Sequence, residues 1–226
     1  MKFAHICQGI INATRTLDKH TQLNNICVDN ETKSISWHGR KPGIIKGLYY
    51  PLEYQYLIDS QQYSLLLSDG SFFQFFYQYD KSENLTSARL AFYPRPLSTR
   101  DSLEEILAAA DDAVEREDDE LFNHLYNWTE MMELKNQTPS NTSHIRFDYD
   151  PKAKSHSPSH LQLSGLHDFR ISANYFPQPL AFIQLCEATY SSERVIDTAG
   201  MAFERRHALL LQQPSELINL GWPGQD

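Results

Sequence analysis

The segment YSLLLSDGSFFQFFYQYDKSENLTSARLAFYPRP, residues 63–96, constrains the fold more than any other part of the chain. Apolar and aromatic residues fill its runs, and each break between runs carries its own turn chemistry. Asp69-Gly70 marks a tight turn between two strands, because glycine accepts the positive φ that such turns need. A polar turn at 80–84 leads to a third strand over 85–93, which Pro94 and Pro96 end because proline cannot donate to a ladder. The pattern predicts an antiparallel meander. Gln74 and Gln78 stand two residues on either side of Phe76, so one face of the aromatic strand is semi-polar.

A second polar face is written into HIRFDYDPKAKSHSPSHLQL, residues 144–163. Residues alternate in HIRFDYD: Ile145, Phe147 and Tyr149 point one way, His144, Arg146, Asp148 and Asp150 the other. HLQL splits the same way, with His160 and Gln162 opposite Leu161 and Leu163. If the two strands pair, their polar rows lie side by side, with His156 in the connecting loop.

Helices are expected around this sheet. Phe3, Ile6, Cys7, Ile10, Ile11, Thr14 and Leu17 recur at helical spacing and predict a helix over 2–17. ICVDNETKSISWHG reads as a hairpin, 26–29 with 34–38, and GRKPGIIKG as a loop. Residues 101–117 predict a helix capped by Asp101 or Ser102, and 118–134 a second with Leu121, Leu125, Trp128 and Met132 on one stripe. NQTPSNTS, 136–143, reads as a linker. Pro177 and Pro179 introduce LAFIQLCEATY as a buried helix, and Ile196, Ala199, Phe203, His207 and Leu210 predict a closing helix over 193–212. The expected fold is α+β: a mostly antiparallel sheet, meander plus hairpin, with N- and C-terminal helices. It forms one domain over 1–226, with 101–135 an acidic helical insertion suited to carrying a partner surface.

Composition narrows the function. A 41% apolar fraction excludes wholesale disorder, and no apolar run approaches a membrane span. The N-terminal stretch reads as an amphipathic helix and not a signal peptide. Cys7, Cys27 and Cys186 are too widely spaced for a zinc pattern or a disulfide framework and suit reduced thiols in a cytoplasm. Residues 101–120 hold ten acids and one arginine, which accounts for the whole net charge of −9. The neutral remainder permits a local phosphate site but offers no basic stripe for non-specific nucleic-acid binding.

Three chemistries fit the polar face. In metal-free phosphodiester cleavage, His160 with His144 or His156 supplies base and acid, since an ordinary pKa of about 6.5 populates both forms near neutrality. Arg146 then holds the phosphate with its planar fork. In a divalent-metal site, His156, His160 and Asp148 or Asp150 are the ligands, although HSPSH lacks the helical face that makes HExxH specific. In the third reading, Asp148 and Asp150 shape the DYDP turn and Arg146 makes a salt bridge. Arg89, on the third strand, is expected to face the same side as Gln74. Asp69 is explained by its turn, Cys186 reads as an inert core thiol and His207 as an interface residue. His5, His20, His38 and His124 read as structural or surface groups, and no glycine-rich phosphate loop is present.

In order along the chain, DGSFFQFFYQY, ARLAFYPRP, HIRFDYDP and HSPSHLQLSG resemble a bacterial family, domain of unknown function 2290. The resemblance runs from about Ile26 to Tyr190, with 101–135 a poorer match. His156, Ser159, His160 and Gly165 occupy the places of that family's His-x-x-Ser-His run and following glycine. The resemblance carries no established activity. More loosely, the layout is similar to TumE-type bacterial toxins, which favours a toxin-like or defence-associated role over a metabolic one. Two functions follow as expectations. One is a cytoplasmic nuclease-like effector, a metal-independent phosphodiesterase or ribonuclease without cofactor, using His144, Arg146, Asp148, His156 and His160. The other is a non-catalytic subunit of a phage-defence or toxin–antitoxin assembly, contacting its protein partner through 101–135. Antitoxin-like neutralisation of a basic partner by 101–120 is a further reading that rests on charge alone.

Overall fold

A computed structural model describes residues 2–42, 50–96, 103–135, 143–154, 156–163, 170–190, 208–210 and 219–220, with backbone alone at 128, 131–135, 188–190, 208–210 and 219–220. The chain divides into two compact units, Met1–Arg95 with Ser143–Asp226, and Pro96–Thr142.

The first unit is built on a sheet whose strands run β1 (Thr21–Asn24), β4 (Leu65–Leu67), β5 (Phe72–Tyr79), β6 (Leu85–Tyr93), β7 (Ile145–Tyr149), β8 (Ser159–Leu163), β9 (Arg170–Ala173) and β12 (Asn219–Leu220). The hairpin β2 (Ile26–Asp29) and β3 (Ser34–Trp37) joins β5 through β3. All neighbours are antiparallel except β12, which lies parallel to β9. The expected meander is β4–β5–β6. At its first turn Gly70 has φ +88°, and Asp69 accepts from the Ser71 amide at 2.8 Å and hydroxyl at 2.6 Å. At the second, Asp80 accepts from the amides of Ser82 and Asn84, both at 2.8 Å.

One sheet face carries the main core. Phe73, Phe75, Tyr77, Leu90, Phe92, Ile145, Phe147 and Leu161 pack there with Phe3, Ile6, Ile10 and Leu17 of α1 (Phe3–Leu17) and Phe182, Ile183 and Cys186 of α5 (Pro179–Tyr190). The other face is covered in part by α2 (Tyr50–Asp59), whose Tyr50 and Leu57 pack on Phe72, Ala91 and Tyr93. Phe72 and Tyr93 stack at 4.7 Å between centroids.

In the second unit, α3 (Leu103–Glu115) and α4 (Asp119–Lys135) form the expected helical pair. Asp118 caps α4 by accepting from the Leu121 amide at 3.0 Å, and Asp119 and Glu120 follow in the first turn, where the helix dipole favours acids. Among the described residues, no helix is long and apolar enough to cross a membrane.

Several expectations change. Both β1 and α2 fall where the apolar pattern assigned nothing. Leu210, placed on the closing-helix stripe, lies in β11 (Ala208–Leu210), which pairs with β10 (Tyr175–Pro177): a free strand edge satisfies its backbone as well as a helix would. Residues 193–207 and 211–212 of that helix lie outside the described residues, as do Asp101, Ser102, 136–142 and most of GRKPGIIKG. On the α4 stripe Leu121 is exposed and Leu125 half-buried, so it is not a continuous buried face; the side chains of Trp128 and Met132 lie outside the described residues.

The Gly70 geometry sets a stability test. Any Cβ is unfavourable at its φ, so Gly70→Ala is expected to cost about 1–2 kcal/mol, read as a lower urea midpoint with an unchanged m-value.

Candidate functional site

Register places the polar residues of the sheet on a grid. Pairing of β5, β6, β7 and β8 sets Phe76, Arg89, Asp148 and His160 in one row across the strands, and Gln74, Ala91, Arg146 and Gln162 in the next. The two histidine-bearing strands therefore do pair, with Asp148 opposite His160 and Arg146 opposite Gln162. His144, Arg146 and His160 are all buried, at 5%, 6% and 4% exposure.

The α2 helix covers only one end of this grid, and beside it lies a cleft of about 250 Å³. Its floor is Gln74, Arg89, Tyr93 and Arg146; Glu53, Tyr56 and Leu57 of α2 form one wall, and Trp37, Arg40, Lys41 and Pro42 the other. Gln62 pins the second wall. Its Oε1 accepts from Trp37 Nε1 at 3.1 Å and the Lys41 amide at 2.8 Å, and its Nε2 donates to the carbonyls of Gly39 at 3.1 Å and Ser60 at 2.8 Å. That saturates the amide, so this short segment has a fixed place.

Charge in the cleft is unbalanced. Among the described residues, Arg40, Lys41, Arg89 and Arg146 face only Glu53 on the walls and Asp148 behind the floor. Asp148 joins two of them: Oδ1 accepts from Arg89 Nε at 2.7 Å and Oδ2 from Arg146 Nε at 2.6 Å. Enclosure pushes the Asp148 carboxyl up, but the two guanidinium charges outweigh it and hold it below the usual carboxylate value. Arg146 Nη2 also donates to Gln162 Oε1. Among the described residues Arg40 has no such partner. Its guanidinium lies 3.7 Å from the Phe76 ring centroid, and its buried Nε makes no hydrogen bond. Burial, then the charge of Arg89, pushes its pKa down.

The histidines lie behind this cleft and not in it. His144 Nδ1 is 3.3 Å from Glu53 Oε2, outside hydrogen-bonding geometry, with its ring against Tyr93 at 4.9 Å. His160 Nε2 is 3.8 Å from Asp148 Oδ2, and its ring meets that of His156 at 4.6 Å. Ser157 carbonyl oxygen lies 2.9 Å from His156 Nδ1 and 3.4 Å from His160 Nδ1. Burial, the largest influence, pushes His160 down to about 4, so it is neutral at physiological pH. His144 and His160 stand in rows four strand residues apart, about 13 Å along the strand, and do not meet across one bond.

The residues of the metal alternative have other engagements. Among the described residues no three His, Cys, Asp or Glu side chains gather in a metal-holding group. Asp150 is exposed and accepts from the Lys152 amide at 2.8 Å, and both Asp148 oxygens are taken by arginines. Arg89 and Gln162 lie on the anticipated face, while Gln74 donates to the Gln62 carbonyl at 2.7 Å and Gln78 to that of Thr32 at 2.8 Å. Trp37, Arg40, Lys41, Glu53 and Gln62 went unnoticed in the sequence. Pro51 ahead of Glu53 and Leu57, four residues apart, is a weak helix signal; nothing local marks Arg40.

Two expectations follow. Asp148→Asn leaves two enclosed guanidinium groups without a counter-charge and is expected to cost about 3–5 kcal/mol, measured by urea unfolding. The second concerns pH. Because His160 is depressed when folded, its stabilising contribution is full above about 6.5, the unfolded value, and is lost as pH falls toward 4. His160→Gln should flatten the melting-temperature profile between those limits. The loss below pH 4 should remain, because Asp148 contributes above its unfolded pKa and loses that contribution as it protonates.

No curated protein and no solved structure matches the chain. The sequence profile of the uncharacterized conserved proteins DUF2290 matches residues 18–208, which include strands β1 to β9 and every wall of the cleft, and the chain belongs to that family.

Proposed function

We propose that this protein acts on nucleic acid by binding a backbone phosphate in the cleft, as a nuclease-like toxin or defence effector. The observation that carries the reading is the surplus of Arg40, Lys41, Arg89 and Arg146 over Glu53 and Asp148. Guanidinium groups match phosphate oxygens in charge and fork geometry, and Arg40 has a buried Nε still without an acceptor. Asp148 pre-organises Arg89 and Arg146 through Nε, and Gln162 holds Arg146 further through Nη2, so both guanidinium groups have fixed places in the floor. The free thiols Cys7, Cys27 and Cys186 agree with a reducing, cytoplasmic setting. In this reading His144 and His160 act from behind, through Glu53 and Asp148.

Fluorescence anisotropy with a labelled single-stranded oligonucleotide tests it. Binding should weaken with salt, at about −0.7 in log–log slope per phosphate contact. Arg40→Ala should reduce that slope by about one contact. Unchanged affinity and slope in Arg40→Ala would sink the reading.

A second reading, a protein-interaction subunit, has its own support. On α3, Leu107 and Val114 are exposed seven residues apart on one face, and Leu121 and Tyr126 are exposed on α4, all among acids. A partner with an apolar strip flanked by basic residues fits that surface. Val114→Glu should abolish a co-purifying complex while leaving oligonucleotide binding intact.

A further inference from the structure

We infer that the substrate is single-stranded RNA and that Glu53 is the general base, taking the proton of the ribose 2′-hydroxyl; this rests on the phosphate-binding reading above. Among the described residues, Glu53 is the one carboxylate that lines the cleft. It is only 8% exposed and stands among the arginines that would hold a phosphate. The Tyr93 hydroxyl donates to its Oε1 at 3.3 Å, and the His144 ring faces its Oε2. Tyr93 thus holds the carboxylate from the sheet side, with the His144 ring beside it, and the cleft side is left to a ligand.

A single fixed carboxylate beside an arginine cluster suits a nucleophile that the substrate itself brings. An adjacent 2′-hydroxyl is already positioned for attack, so the enzyme need only remove its proton and stabilise charge on the phosphorus oxygens. The cleft volume has room for one phosphate with its sugar. Tyr56, exposed on the wall, offers a ring for an unstacked base. In the step, the 2′ oxygen bonds to phosphorus as its proton passes to Glu53, and the bond from phosphorus to the 5′ oxygen breaks. The 5′ oxygen leaves with the electron pair and takes a proton from solvent, and Glu53 returns its own to solvent. The products are a 2′,3′-cyclic phosphate and a 5′-hydroxyl, with no further reactant.

The test compares a labelled RNA strand, its all-deoxy counterpart and a deoxy strand carrying one ribose, with binding read by anisotropy and cleavage by gel and mass spectrometry. RNA and DNA strands should bind within a few-fold of each other. Only RNA should be cut, and the mixed strand only after its ribose, each leaving a cyclic phosphate. Glu53→Gln should bind RNA normally and cut it about 100-fold more slowly or worse, with an unchanged melting temperature; the mixed strand keeps the test independent of that variant. RNA bound but uncut by wild type, a deoxy strand cut as fast, or Glu53→Gln cutting at the wild-type rate overturns the inference while the cleft reading stands. If neither strand binds, the cleft reading falls, and the inference with it.

Discussion

The carboxylate of Asp148, held between Arg89 and Arg146, is the interaction on which the polar side of this sheet depends. Two guanidinium groups on neighbouring strands would repel each other in an enclosed position; one carboxylate with both oxygens engaged makes their proximity tolerable. Such a triad need not stabilise the fold relative to an apolar core. It keeps two cationic side chains at fixed places on a sheet face, where a single row of leucines would simply have closed the gap. Burial also holds His160 neutral beside Asp148, so no third positive charge builds up there at physiological pH.

The rest of the site is a matter of what does not cover the sheet. Helices α1 and α5 close the apolar face. On the polar face α2 packs over Phe72, Ala91 and Tyr93 and stops short of Arg89 and Arg146. Gln62 holds Trp37 and Lys41 on the opposite side, so the gap has two walls and a cationic floor. Arg40, stacked on Phe76, adds a charge with no internal counter-ion among the described residues. A protein that keeps such a group partly buried and unpaired carries a standing electrostatic cost, which an anionic ligand would remove.

Much of this architecture was legible in the sequence because it is local. The Asp69-Gly70 turn, the alternation in HIRFDYD and HLQL, and the helical spacing of Phe3 to Leu17 each fix an element from residues within a few positions of one another. Alternation even assigned Arg146, Asp148, His160 and Gln162 to one face, because strand period leaves no other choice. It could not give exposure. A polar row reads as a solvent face unless something else covers it, and α2, whose apolar pattern is weak, was invisible.

By itself, then, the sequence determined the meander, the helix from Phe3 to Leu17, the polar faces of HIRFDYD and HLQL, and the confinement of the net charge to residues 101–120. Tertiary structure alone decided which polar residues meet. Glu53 and Arg146 are ninety-odd residues apart and join one cleft only because β6 brings β7 alongside the strands that α2 covers. His144 and His160, close in sequence and alike in chemistry, are sent to different rows by the register of β7 and β8. Spacing along a chain fixes the direction of a side chain, but the company it keeps is set by strand pairing, which depends on the sum of contacts over the whole sheet.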